Sequence, residues 1–163
     1  MARPRTVPDS TVHDSVLALI RTGGEKAVTF SAVAERVGLA PSSLAERHGS
    51  VQGMIQDARA GIWLRLEQGT ELIVTHAPPD AKGATRMLKQ LAPLVTDVPL
   101  RADPARAAQW RQRVEAGLAL RLGGGADARE KAGIMFTFWL GQITWGLEAG
   151  KPARLRDLLR HLG

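Results

Sequence analysis

Apolar positions along this chain recur at intervals of three and four, and no stretch shows the sustained alternation that marks a half-buried strand. Val12, Val16, Leu19 and Ile20 share one face of a first helix running from about Val12 to Arg21, with Asp9 or Ser10 placed to cap it and Gly23-Gly24 to end it. Thr29 can cap a short second helix through Val37 that turns Phe30, Val33, Ala34 and Val37 inward, and Gly38 supplies a tight turn. A third short helix opens at Pro41, whose fixed φ and missing N–H suit a first helical position. From Ser50 the periodic segments lengthen. One runs to about Thr75 and closes at Pro78-Pro79, one spans Asp80 to Val95, and one is capped by Asp103 and reaches Leu122. After Gly123-Gly124-Gly125 another runs from about Asp127 to Ala149, and a short amphipathic helix after Pro152 would carry Leu155, Leu158, Leu159 and Leu162. The expected class is all-α.

The stretch from Thr29 to Leu44 has the grammar of a helix-turn-helix. Ala34 is small where two helices must cross closely, Gly38 permits a positive φ, and Leu39 and Leu44 anchor the second helix to the first. Such a second helix can lie in a major groove with its first residues toward base edges, which here offers Pro41, Ser42 and Ser43. Serine hydroxyls donate or accept, so they suit either a base or a phosphate.

Val12 through Ala58 resembles the N-terminal three-helix module of the TetR family of transcriptional regulators. The features that carry the likeness are Thr29-Phe30 opening the second helix, Val33-Ala34 and Gly38-Leu39 at the turn, and Gly49-Ser50 before a helix that continues into the rest of the chain. The resemblance implies a DNA-binding module with an N-terminal arm over residues 1–50 and an all-helical ligand-binding and dimerisation domain over residues 51–163. It further implies a homodimeric, ligand-responsive regulator, in the first instance a repressor, with double-stranded DNA and an apolar or aromatic small molecule as partners. The family pattern after the recognition helix has a tyrosine, a phenylalanine and a lysine where this chain has Ala45, His48 and Val51. Two of those groups would serve phosphates, which supply most salt-dependent affinity. DNA contact is therefore expected to rest on Thr29, Pro41, Ser42, Ser43 and Arg47, with Arg3 and Arg5 on an arm able to enter a minor groove. His48, standing in for an aromatic, is expected to be partly buried. The same departures leave an alternative, a TetR-like small-molecule or lipid-binding accessory protein with weakened or lost DNA binding.

The run Ile134-Met135-Phe136-Thr137-Phe138-Trp139-Leu140 is apolar on every side of a helix, which predicts burial all round. Gly133, Thr137 and Gly141 leave a narrow stripe for a second helix, so this segment, with Phe138, Trp145 and the later Leu155 and Leu159, is expected to form a two-fold dimer interface. Trp63, Met87, Trp110, Met135 and Trp139 are of the type that lines apolar ligand cavities, with His76 and Gln142 as polar contacts; each also suits an ordinary core.

Composition narrows the classes without choosing among them. The 163 residues contain no cysteine, so thiolate metal sites, thiol nucleophiles and disulfides are excluded, and a reducing cytoplasm fits. The four histidines are scattered, no Ser-His-Asp or phosphate-loop motif occurs, and neither a metal, a cofactor nor an enzymatic activity is expected. The uncharged stretch 132–147 is shorter than the roughly 20 residues of a membrane span. The net charge of +6 invites a nucleic-acid partner. Yet residues 1–50 hold six basic residues against five acidic ones, so most of the excess lies beyond the module that would touch DNA.

Overall fold

A computed structural model describes residues 7–145, which form seven α-helices and one short 3-10 turn with no strand among the described residues. The chain divides into two compact units, Met1–Arg65 and Leu66–Gly163.

The first unit holds α1 (Asp9–Gly23), α2 (Phe30–Val37), α3 (Pro41–His48) and the opening turns of α4 (Val51–His76). Its core is built from Val12, Val16 and Leu19 of α1, Val33 and Ala34 of α2, Leu44 of α3, and Met54, Ile55 and Ala58 of α4. The last three explain why the unit ends near Arg65 and not at residue 50: α4 supplies one wall of this small core before it passes into the second unit. Thr29 caps α2 as expected, its Oγ1 accepting from the Ala32 N–H at 3.0 Å. Gly38 ends that helix in the left-handed region, with φ 72° and ψ 34°. At α1 the cap differs from expectation. Pro8 holds the N-cap position and Asp9 sits inside the first turn, which frees the Asp9 carboxylate for a partner elsewhere.

The second unit contains the rest of α4, α5 (Ala81–Val95), α6 (Pro104–Arg121) and α7 (Gly125–Trp145). Asp80 caps α5 by accepting from Gly83 N–H, and Asp103 caps α6 by accepting from Arg106 N–H at 3.0 Å, the latter as the sequence pattern predicts. Leu66, Met87, Leu88, Leu91, Leu118 and Met135 are fully buried. Arg121 is buried too, and its guanidinium donates to the carbonyls of Val74 and Ala77 at the end of α4 and to Gly117 O within α6. A cation there satisfies carbonyls that the helix leaves unpaired and meets the negative end of its dipole.

α7 departs from the expected burial all round. Ala128, Ala132, Met135, Phe136 and Trp139 face the core, whereas Thr137 is exposed, Ile134 is 38% exposed and Trp145 is 81% exposed. Among the described residues, one face of this apolar helix is left uncovered. Arg3, Arg5 and the predicted helix with Leu155, Leu158, Leu159 and Leu162 lie outside the described residues.

Candidate functional site

Leu44 is the one buried residue of α3 and fixes that helix to the core of the first unit. Everything else on α3 is exposed or half-buried, and Pro41, Ser42 and Ser43 at its start are exposed. The two serine side chains form no hydrogen bond among the described residues, so both hydroxyls are open to an incoming partner. Thr29 lies at the start of α2, exposed; its oxygen is taken by the cap, and its proton remains to donate outward. Ser50 does the same for α4, accepting from Gly53 N–H at 2.9 Å.

Arg47 is exposed and has partners within the unit. Its Nη1 donates to Val7 O at 3.2 Å and to Asp9 Oδ1 at 3.0 Å, so the guanidinium ties the end of α3 back to the start of α1. This surface pairing follows from Asp9 standing inside the first turn of α1. Two residues of the exposed surface were not singled out from the sequence. Arg36, in the last turn of α2, is exposed and forms no ion pair among the described residues. Glu46, three and four positions after the serines, is likewise exposed and unpaired. The three- and four-residue spacing within α3 was the signal that could have found Glu46.

Behind α3, His48 is nearly buried, with 3% of its side chain exposed and Nδ1 2.7 Å from Asp57 Oδ2 of α4. This bears out its expected structural role. His13 of α1 lies beside it, the ring centroids 6.5 Å apart. Gly61 makes room for that imidazole, because a Cβ there would stand 2.4 Å from His13 Nδ1. Asp9, Arg47, Asp57 and Leu64 complete a cleft of about 430 Å³ around the two histidines. Burial holds the His13 imidazole below its ordinary value; His48 and Arg65 push the same way, while Asp9 and Asp57 oppose it.

In the second unit Met87, Met135 and Trp139 fill the core, and Trp63 is buried in the first unit's part of α4. Trp110 stacks edge-on to Phe136 at 5.5 Å between centroids, and its Nε1 donates to the buried Thr70 Oγ1 at 2.8 Å. Trp110 also borders a small cavity of about 230 Å³ with Glu67, Thr70, Glu71, Gln109 and Arg113. Its acids are already engaged, Glu67 by Arg106 at 2.6 Å and Glu71 by Arg113. His76 bonds to Leu72 O of its own helix at 2.8 Å. A larger cleft of about 670 Å³ lies elsewhere in this unit, where Val95, Val98 and Leu100 meet Leu140 and Ile143, with Arg101 also lining it.

No protein-family model matches the chain, and no curated protein matches it. Solved structures do. PfmR, a TetR family transcriptional regulator from Thermus thermophilus, is similar over 92% of this chain and 93% of its own, with a TM-score of 0.59 and 14% identity. AlkX, a TetR family repressor from a Dietzia strain that is implicated in biodegradation of n-alkanes, aligns over 98% of this chain and 95% of its own, with a TM-score of 0.44 and 22% identity.

Proposed function

We propose that this chain, whose fold is that of the TetR family regulators, is a DNA-binding transcriptional repressor that works as a homodimer and releases its operator when an apolar or aromatic small molecule binds. The observation that carries this reading is the open face of α3. The helix is held by one buried leucine behind a left-handed glycine turn and presents two free serine hydroxyls at its start. Thr29, Arg36 and the capped start of α4 are the phosphate donors of the module, and Arg3 and Arg5 extend it as an arm. Residues 1–50 carry the reading surface, and the early turns of α4 complete its support.

The face of α7 left open among the described residues supports the dimer. Gly133, Phe138 and Gly141 are half-buried beside exposed Ile134, Thr137 and Trp145, a strip of small and apolar groups that a second copy would cover. The effector would enter the apolar cleft at Val98, Leu100, Leu140 and Ile143, since the tryptophans and methionines first expected to line a pocket are largely spent on core packing. Two recognition helices must lie about 34–36 Å apart to meet successive major grooves, and an effector acts to the extent that it prefers a dimer with another spacing.

Fluorescence anisotropy with duplex DNA taken from upstream of the chain's own gene tests the reading. Binding at low ionic strength that weakens steeply with added salt, at two chains per site, is expected. Absent or salt-indifferent binding overturns it. One observation favours a second reading, a small-molecule or lipid-binding accessory protein without DNA function: Arg47 is tied to Asp9, and Ala45 and Val51 offer phosphates nothing. On that reading the unmodified protein ignores DNA, and Ala45→Tyr with Val51→Lys creates binding from nothing.

A further inference from the structure

The charged or titratable residues of α3 are Glu46, Arg47 and His48, and two of the three already hold a partner within the unit. Arg47 is bound to Val7 O and Asp9, and His48 is buried against Asp57. Glu46 is left as the open ionised group on the helix, on the same side as Ser42 and Ser43 one turn earlier and opposite the buried Leu44. With Arg47 engaged by Asp9, the charge left without a partner on the helix is a carboxylate. A guanidinium donates and seeks guanine; a carboxylate only accepts.

We propose that Glu46 determines base preference, accepting a hydrogen bond from the exocyclic amine of a cytosine in the major groove; this rests on the DNA-binding reading above. The groove offers an acceptor very few partners. Guanine shows N7 and O6 and thymine shows O4, all acceptors that repel a carboxylate. Adenine shows its N6 amine beside an N7 acceptor, so a second carboxylate oxygen would face a lone pair. Cytosine shows its N4 amine with no acceptor of its own alongside. Among phosphates and out of bulk water, a carboxylate opposite any other base is an unpaired charge, so Glu46 rejects three bases as strongly as it selects the fourth.

The test uses the full chain and a library of duplexes with a randomised core, sequencing the bound fraction at low ionic strength for the unmodified protein, Glu46→Gln and Glu46→Ala. The unmodified protein is expected to favour cytosine about tenfold at one position of each half-site. Glu46→Gln moves the preference at that position to adenine, whose N6 and N7 a glutamine amide pairs with together, and Glu46→Ala erases it there while sparing the rest of the site. Retention of the same cytosine preference by Glu46→Ala overturns the assignment to Glu46 and leaves the DNA-binding reading intact. Failure of all three proteins to retain any duplex in a salt-dependent way overturns the DNA-binding reading, and this inference falls with it. Glu46 is exposed and unpaired, so the variants fold as the unmodified chain does, which circular dichroism checks.

Discussion

Leu44→Ala probes the apolar anchor of α3, which works beside the Arg47 and His48 contacts that tie the end of the helix to α1 and α4. Leu44 is 0% exposed and is the only buried residue of that eight-residue helix. Removing its isobutyl end takes away three carbons from a closed core, a transfer loss of roughly 2.4 kcal/mol at about 0.8 kcal/mol per methylene-sized group. The cavity left in the core that Leu44 shares with α1, α2 and α4 adds to this, because a small core relaxes only in part, and the total is expected at about 3–4 kcal/mol. A unit of 65 residues has a stability of roughly 3–10 kcal/mol, so a large fraction of it would be lost. Urea titration followed by circular dichroism, together with hydrogen exchange resolved by peptide, measures the effect. Faster exchange is expected in α2 and α3, and Leu64→Ala, at a residue already 51% exposed, serves as a control expected to change stability by under about 0.5 kcal/mol. A loss below about 1 kcal/mol, or unchanged exchange in α3, would refute the view that Leu44 holds the helix.

Two further outcomes concern buried polar groups. Thr70→Val keeps the shape of the side chain but leaves the Trp110 indole N–H without its acceptor, at an expected cost of about 1–3 kcal/mol by denaturant titration; in a Trp110→Phe background the same change should cost far less, and equal costs in both would contradict the hydrogen-bond account. Because burial holds His13 below the ordinary imidazole value of about 6.5, the unfolded chain binds the extra proton more readily. Stability is therefore full above that value and declines as the pH falls through it toward the folded value. Thermal melts between about pH 5 and pH 8 should show this slope in the unmodified chain and a shallower one in His13→Gln, and identical slopes would argue against an effect of partial burial on His13.

The local determinants of this protein are all readable from residue order. Thr29, Asp80 and Asp103 cap helices because a short acceptor side chain stands where a helix start has spare N–H groups, and Gly38 turns because it has no Cβ to forbid a positive φ. The all-α class, the helix-turn-helix and the inward set of apolar residues follow from the same short-range rules. What those rules could not reach was where charges settle. Arg47 and Asp9 are far apart in the chain, and only the approach of α3 to α1 makes them partners. That one contact gives the expected cation a partner and leaves Glu46 as the charged residue of α3 without one. The same holds for α7, whose apolar sequence predicts burial but cannot say against what. Side-chain type determines that a surface must be covered, whereas the path of the chain decides whether its own helices or another molecule covers it.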